Sequence, residues 1–368
     1  MDTAVNELDE LDLSLVNTLQ IDPRAPWTRV ARALGIDPVT AARRWERLAG
    51  SGAAWITAQP GPRQSGHACV AFVEVDCAAG HALAVAHRLA AWPRVLTVEH
   101  TSGDRDLLLT VAVPDLATLS HSLLEAIGAL TGVRALRSQL VTRVYAQGGD
   151  WRLRTLDAEQ RAALTPAAPG PGRRPLRELT AQDRRLIVLL GMDGRTSLTR
   201  LSAELGVGIS TVRRRLTALL ACGDLVLRGE LAQPLSGWPV TLCLWAHLPA
   251  DDRDTVARLL NALPELRACL GVTGGRANLF LSVWLRSLAD ARRLEAFLAD
   301  RAPRLTILDR GVVLQFVKRM GRILDPAGRS VRTVPMDIWT PTPLPLPDEP
   351  GRAGFRYRAR AVGPGVGR

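Results

Sequence analysis

An internal repeat is the feature that most constrains the fold of this chain. When the sequence is shifted against itself by 171 residues, positions 8–52 align with positions 179–223 without a gap. Identical pairs occur throughout the segment, among them Leu15 and Leu186, Asp22 and Asp193, Gly35 and Gly206, and Arg44 and Arg215. A repeat of this length predicts two copies of one structural unit.

Each copy begins with three predicted helices. In the first copy, apolar residues recur at intervals of three and four over 8–19, over 26–34 and again after Pro38. Gly35 permits a tight turn between the second and third helices, and Asp37 with Pro38 is typical of a helix start. The second copy repeats this plan. Three helices joined in this way predict a helix-turn-helix unit in each copy.

The third helix of such a unit enters the major groove of DNA, so its outward face should carry donors for phosphates and base edges. The candidate DNA-binding residues are Thr40, Arg43, Arg44, Arg47, Ser210, Thr211, Arg213, Arg214 and Arg215. The second copy has the denser basic set, whereas Trp45 and Glu46 reduce the basic face of the first. A solvated arginine face on an ordinary helix is the alternative interpretation.

Strand and helix signals follow each helical unit in the order βαββαβ, over about 68–145 in the first copy and 240–317 in the second. This order predicts a four-stranded antiparallel sheet with two helices on one face. The predicted fold class is α+β, with two winged helix-turn-helix domains alternating with two ferredoxin-like βαββαβ domains.

The repeat divides the chain into six predicted segments. Residues 166–175 are rich in proline and glycine, as linkers are, and the C-terminal residues 340–368 combine a polyproline run with arginines. A nonspecific DNA arm is the alternative to a solvated tail there. The segments are helix-turn-helix domain 1 (1–60), effector and dimerisation domain 1 (66–146), a linker (147–177), helix-turn-helix domain 2 (178–232), effector and dimerisation domain 2 (238–320) and a disordered tail (325–368).

Composition limits the classes of function. The net charge of +11 favours a polyanionic partner, although Lys318 is the only lysine and the abundance of arginine, alanine and glycine also fits a GC-rich genome. No apolar run is long enough to span a bilayer, and acids stand among the first ten residues where a secretory signal has bases. The five cysteines lack CxxC spacing, so neither a zinc site nor a disulfide framework is expected. We therefore expect a soluble, cytoplasmic protein without membrane contact.

Several segments together carry a family resemblance. They are Leu8–Asp12 and Leu179–Asp183, Asp22–Arg24 and Asp193–Arg195, the turns with their third helices, and the glycine loops Thr101–Asp106 and Thr273–Asn278. In their order, spacing and duplication, the chain resembles a tandem-duplicated regulator of the leucine-responsive and asparagine-responsive (Lrp/AsnC) family. The resemblance covers about residues 7–145 and 178–320.

The resemblance implies amino-acid-responsive control of transcription, with double-stranded DNA and a small-molecule effector as partners and pairing of the α/β domains in a homo-oligomer. It places the effector near the glycine loops, at Thr101, Gly103, Asp106, Thr273, Gly275 and Asn278. Backbone N–H groups of such a loop suit a carboxylate, and an acid suits an ammonium group. The second loop has Asn278 in place of Asp106, and a plain hairpin turn is the alternative for both loops.

Two other classes of function are alternatives to a DNA-binding regulator. Duplicated proteins of this architecture also resemble siroheme decarboxylases, which need donors gathered around a tetrapyrrole. The six histidines are scattered, and no nucleophile elbow, P-loop or paired-histidine zinc motif is present. An effector sensor without DNA binding is the third class, but it would not need three consecutive arginines on a recognition helix. We therefore expect a DNA-binding regulator rather than an enzyme, with no catalytic residue, cofactor or metal.

Overall fold

The computed structural model describes residues 8–61, 64, 68–164 and 178–340. Within these ranges the chain forms 11 α-helices and 12 strands. None of these described helices combines the length and the apolar character needed to span a bilayer.

Head one, residues 9–60, consists of three helices and one strand. Asp9 caps the first helix by accepting a hydrogen bond from the Asp12 amide, and Asp37 caps the third. Gly35 makes the turn between the second and third helices with φ of +66°, a conformation that favours glycine. The apolar stripes of the helices form the core, as their periodicity predicts. The elements are α1 (Glu10–Ile21), α2 (Trp27–Leu34), α3 (Pro38–Gly50) and β1 (Ala54–Pro60).

Domain one, residues 69–146, has the predicted βαββαβ order. Its elements are β2 (Cys69–Cys77), α4 (Ala82–Ala90), β3 (Val95–Thr101), β4 (Leu107–Val113), α5 (Leu116–His121) and β5 (Val133–Ala146). Alternate residues of β2, such as Ala71 and Val75, are buried against the helices, while Phe72 lies on the opposite face. Helix α5 continues as a π-helical segment over Ser122–Ile127.

The segment predicted as a linker is ordered as far as Leu164, which corrects that prediction for residues 147–164. It contains a short 3-10 turn and helix α6 (Ala158–Leu164). Leu156 and Leu164 are buried against head one, and the Asn17 side-chain oxygen accepts hydrogen bonds from the backbone of this segment. Trp151 of this segment is also buried, against Trp284 of the second α/β domain, and burial of these apolar side chains stabilises the docked segment. Residues 165–177, the proline-rich part, lie outside the described residues.

Head two, residues 178–231, repeats the plan of head one. Its elements are α7 (Ala181–Met192), α8 (Leu198–Leu205), α9 (Ile209–Cys222) and β6 (Leu225–Leu231). Thr180 and Asp183 form a reciprocal capping box at the start of α7. Gly206, with φ of +64°, makes the turn before α9, whereas Gly208 at the start of α9 provides no side-chain cap.

Domain two, residues 240–319, follows with the same order of strands and helices as domain one. Its apolar residues form a separate core under the two helices. The elements are β7 (Val240–His247), α10 (Arg253–Asn261), β8 (Leu266–Thr273), β9 (Leu279–Leu285), α11 (Asp290–Arg301) and β10 (Thr306–Arg319).

The predicted disordered tail is ordered over residues 325–340, so that prediction is wrong for this part. Strands β11 (Arg322–Leu324) and β12 (Ser330–Thr333) extend the sheet from β10. Val334, Met336 and Ile338 are buried, because alternate residues of this extended segment face the protein. The Ser330 amide also donates to the Gly52 carbonyl oxygen of head one at 2.9 Å. The tail beyond residue 340 lies outside the described residues.

Two sheets join the copies. Strands β1 and β6 pair in an antiparallel ribbon that connects the two heads, with Ala54 opposite Leu231 and Pro60 opposite Leu225. In the larger sheet, the order within domain one is β3-β4-β2-β5 and within domain two is β8-β9-β7-β10. The two sets are joined by pairing of β5 with β8 and of β10 with β3, which closes eight strands into a ring.

The closed ring differs from the two separate four-stranded sheets that the pattern predicts. In each domain the second and fourth strands are edges, and an unpaired edge exposes backbone N–H and C=O groups. Pairing each edge with an edge of the other copy satisfies these groups. The helices lie outside the ring, and Phe72, Trp245, Phe280 and Val313 are buried inside it.

Candidate functional site

The second recognition helix, α9, presents two free arginines. Arg213 and Arg214 are exposed, and neither makes an ion pair with any of the described residues. Ser210 is exposed in the first turn, and Thr211 is half-buried beside it. Two unpaired cations next to a hydroxyl near a helix N-terminus form a surface that can contact phosphate and base edges.

Three of the predicted DNA-binding arginines make ion pairs within their own head. The Arg44 guanidinium lies 2.9 Å and that of Arg47 lies 2.6 Å from carboxylate oxygens of Asp12, which is 1% exposed. In head two, Arg215 pairs with the buried Asp183 at 3.1 Å. These ion pairs tie the third helix to the first. The structure therefore gives these three side chains a structural contact that the sequence pattern does not reveal.

Head one presents fewer free donors. Arg43 is exposed and makes no ion pair with a described residue, while Thr40 is half-buried and its amide donates to Asp37 at 3.4 Å. The residue of head one that corresponds to Arg213 is Ala42. Arg43 thus remains as the free cation on α3.

A reciprocal pair of arginines fixes the heads relative to one another. Arg24 of head one donates to the carbonyl oxygens of Gly194 and Thr196 at 2.6 and 3.0 Å. Arg195 of head two donates to the carbonyl oxygens of Pro23 and Ala25 at 2.8 and 3.1 Å. Sequence reasoning missed this contact, although the recurrence of arginine at the same place in both copies was a usable signal.

The first glycine loop is held by domain two. Thr101 is buried, and the Ser102 amide donates to the Val312 carbonyl oxygen of β10 at 2.8 Å. Gly103 is exposed with φ of +101°. The Asp106 carboxylate accepts from the Cys77 amide at 2.7 Å, so it fixes the end of β2. One oxygen of the Asp106 carboxylate is therefore engaged by the backbone, and the effector role of this residue stays a prediction.

In the second loop, the Asn278 amide makes the backbone contact that the Asp106 carboxylate makes in the first. The Asn278 oxygen accepts from the Leu248 amide at 2.9 Å, and its amino group donates to the Leu248 carbonyl oxygen at 2.8 Å. Asn278 therefore does what Asp106 does in domain one. Thr273 and Gly275 are exposed, and the glycine with positive φ is Gly274 at +105°, one residue before the predicted position. The two loops lie against opposite copies, and the six predicted effector residues do not converge on one pocket.

A cavity of about 420 Å³ lies between the inner face of the ring and the ribbon that joins the heads. Its wall includes Arg228 of the ribbon and Gly191 of helix α7, together with residues from strands of both domains. The apolar part of the wall includes the aromatic side chains Phe72, Phe280, Trp284 and Phe316. The volume lies within the range of small-molecule sites.

Three buried arginines meet one carboxylate at the wall of this cavity. Glu230 accepts from Arg228 at 2.9 Å through Nε, lies 3.4 Å from Nη2 of Arg267, and also pairs with Arg319. Each of these four side chains is at least nine-tenths buried. Burial alone would raise the pKa of Glu230, but Arg228, Arg319 and Arg267 lower it to about 2. The cluster therefore holds an ionised Glu230 at neutral pH.

Glu99 lines the same cavity, but its pKa is shifted in the opposite direction to that of Glu230. Burial raises its pKa from 4.5 to about 8, against the opposing effect of Arg319. Because the folded state favours the protonated acid, Glu99 reduces the free energy of unfolding as pH rises from about 4.5 to about 8. Glu230 contributes stability above pH 4.5 that is lost as pH falls through about 2. At neutral pH these shifts in pKa favour the protonated form of Glu99, which lines the cavity, and the ionised form of Glu230, which lies behind its arginine wall.

Within the described ranges, no group of three or more metal-ligating side chains occurs. No described histidine lines the cavity; His81, His87, His121 and His247 are exposed and His100 is half-buried. His67 lies outside the described residues.

Two protein families match the helix-turn-helix head and the α/β domain of the first copy. Residues 8–49 match the family model of the AsnC-type helix-turn-helix domain. Residues 70–151 match that of the Lrp/AsnC ligand binding domain. These matches cover the two domains of the first copy.

Curated relatives and solved structures agree with this pattern. The transcriptional regulator FL11 of Pyrococcus horikoshii is 29% identical over 141 residues, which is 38% of this chain and 93% of that protein. The leucine-responsive regulatory protein of Rhizobium meliloti is also 29% identical, over 37% of this chain and 90% of that protein. The structure of the siroheme decarboxylase NirDL shares the fold over 85% of this chain and 93% of its own, with a TM-score of 0.56 and 16% identity. The first copy of this chain therefore matches both domain types of the Lrp/AsnC family.

Proposed function

We propose that this protein is a transcriptional regulator that binds double-stranded DNA through its two heads, with α9 as the stronger reader. The observation that carries the proposal is the pair of exposed, unpaired arginines on the third helix of a helix-turn-helix. Curated relatives named as transcriptional regulators support it. Sequence-specific binding then requires base contacts from this helix in addition to phosphate contacts.

The arrangement of the heads supports binding by both at once. The ribbon of β1 and β6 and the reciprocal contacts of Arg24 and Arg195 hold the heads as a pair within one chain. Single-copy helix-turn-helix proteins need two chains to present two reading helices. We infer that one copy of this chain contacts two neighbouring segments of one duplex.

The α/β domains are proposed to bind a small metabolite, such as an amino acid, that controls DNA binding. Support comes from the match of residues 70–151 to a ligand binding domain. We further propose association of chains through the outer helices, because Leu83, Leu116 and Leu124 of domain one are 58%, 62% and 54% exposed. The regulator would act in the cytoplasm, where its DNA lies.

A tetrapyrrole enzyme is the second candidate, because NirDL shares the fold over most of both chains. The described histidines do not line the cavity, and this weighs against it. Titration of the protein with iron-uroporphyrin III, followed by the absorbance of the macrocycle, separates the two. A saturable spectral shift at equimolar ligand would favour the enzyme, and an unchanged spectrum favours the regulator.

Binding of the full chain to its own upstream DNA tests the regulator directly. We expect protection of two segments on one face of the duplex, and affinity for this fragment that exceeds affinity for shuffled DNA of equal length by at least about 1000-fold. A salt titration then gives the number of phosphate contacts from its slope. Equal affinity for both DNA fragments at every salt concentration would refute sequence-specific regulation.

A further inference from the structure

The cavity beneath the ribbon has an excess of positive charge. Of the described residues that line it, four are arginines and one, Glu99, is acidic. Arg143 is at the rim with an exposed partner, Asp254, whereas Arg228, Arg267 and Arg319 are buried and share the single carboxylate of Glu230. Three buried guanidinium groups against one ionised acid leave two positive charges without a counter-ion in this cluster.

The hydrogen bonds of the cluster are also incomplete. One oxygen of Glu230 accepts from Arg228, and the other accepts from Arg267 and Arg319. A guanidinium has five N–H donors, yet Arg267 and Arg319 each have one hydrogen bond to a described residue. Their other N–H groups are not among the described buried side-chain atoms that lack a partner, so these donors reach the open cavity, where an additional acceptor can pair with them.

Aromatic rings surround the same donors. The guanidinium carbons of Arg267 and Arg319 lie 4.0 and 4.8 Å from the ring centre of Trp284. Phe280 contacts Phe72 with ring centres 4.3 Å apart, and both line the cavity. A ligand in this space would meet flat apolar surfaces on its body and N–H donors at one end.

We propose that the cavity binds a small carboxylate with an aromatic or other flat apolar body. Its carboxylate accepts hydrogen bonds from Arg267 and Arg319, and its body packs against the phenylalanine side chains. The site is distinct from the glycine loops, whose Asp106 and Asn278 are occupied by backbone contacts. That such a ligand is regulatory rests on the proposed function, because Arg228 and Gly191 join the cavity to the ribbon and to helix α7.

Calorimetric titration of the full chain without DNA tests the site. The probes are benzoate, phenylacetate, indole-3-acetate and naphthalene-2-carboxylate, each paired with its uncharged amide. The expected result is saturable, stoichiometric binding of at least one acid, at least about tenfold tighter than its amide, since hydrogen bonds to an ionised acceptor are stronger than those to a neutral one. If no acid binds better than its amide, the proposal is wrong.

Two substitutions test whether the acid binds in this cavity. Arg319→Met should weaken the acid by at least about tenfold and leave the amide unchanged. Arg105→Met is the matched control, because Arg105 is also buried, pairs with Glu74 and lies 4.0 Å from the Trp245 ring, but it does not line the cavity. Equal weakening by both substitutions would refute the assignment.

A second variant tests the proposal independently if Arg319→Met fails to fold. Ser282 lines the cavity between Phe280 and Trp284 on β9, so Ser282→Phe fills the space and retains every charged group. Binding of the acid should be lost while the circular dichroism spectrum is retained. Retained binding in Ser282→Phe would overturn the proposal. DNA binding measured in parallel separates the two proposals: carboxylate binding without specific DNA binding would refute only the regulator, and the reverse would refute only this site.

Discussion

The two heads have one framework but different surfaces. In both, a buried aspartate of the first helix pairs with an arginine of the third, Asp12 with Arg44 and Asp183 with Arg215. Asp12 also binds Arg47, whose counterpart in head two is Ala218. The difference teaches that a basic helix is not automatically a DNA-binding one, because the same residue type stabilises the head at one position and remains free at another.

The largest expected effect concerns the free arginines. Arg213→Ala combined with Arg214→Ala should weaken binding to the upstream DNA by about 100-fold, because each lost contact is worth about 1–3 kcal/mol. Arg43→Ala should weaken it by less than about tenfold. Fluorescence anisotropy at fixed salt measures both. Arg134→Ala with Arg258→Ala removes equal charge from the exposed surface of the α/β domains as the control. Equal losses of DNA affinity from the double substitution in head two and from Arg43→Ala in head one would contradict the proposed difference between the heads.

The ion pairing between the first and third helices should contribute more to stability in head one than in head two. Asp12→Asn should lower the free energy of unfolding by about 2 kcal/mol, because two guanidinium groups lose a buried partner and both are partly exposed, which limits the cost. Asp183→Asn should cost about 1 kcal/mol, because the described ion pairs give it one arginine, Arg215, and an amide oxygen at this position can still accept the capping hydrogen bonds of Thr180. Urea unfolding followed by circular dichroism gives both values. A larger loss for Asp183→Asn would reverse this ranking.

Head one can be made to resemble head two. Ala42→Arg places an arginine where Arg213 stands in head two, and Ala42 is half-buried on the helix surface. DNA affinity should rise by about fivefold at low salt, with a steeper salt dependence by about one phosphate contact. Ala42→Gln, which has similar length without charge, is the control. An unchanged salt slope would show that head one does not contact DNA.

The smallest expected effect lies at the start of the recognition helices. Asp37 caps α3 through its side chain, whereas Gly208 precedes α9 with φ of −61° and space for a side chain. Gly208→Ser should therefore stabilise head two by about 0.5 kcal/mol. Thermal unfolding measures the change. A lower melting temperature would show that the glycine serves another role.

The local part of the fold could be predicted from the sequence. The start of α3, for example, follows from Asp37 and Pro38, and domain one has the predicted βαββαβ order. These signals act between neighbours in the chain. The third helices and the strand order could be predicted for the same reason.

Contacts between distant segments could not be predicted in this way. Pairing of β5 with β8 depends on how the copies join, and the meeting of Arg228 with Arg267 and Arg319 depends on how head two packs on domain two. Arg44 and Arg47 were assigned to DNA because spacing shows a helix face but not which acid lies opposite. The glycine loops were placed within one residue, yet the partners of Asp106 are on another strand.

The reciprocal arginine contacts carry an evolutionary consequence. In an assembly of two identical chains, any substitution appears in both halves, so the paired reading helices must remain equal. Here Arg24 and Arg195 join two halves that are encoded separately, and each half can change while the other is maintained. Such a protein is suited to an operator whose half-sites are unlike, and selection on one half-site need not alter recognition of the other.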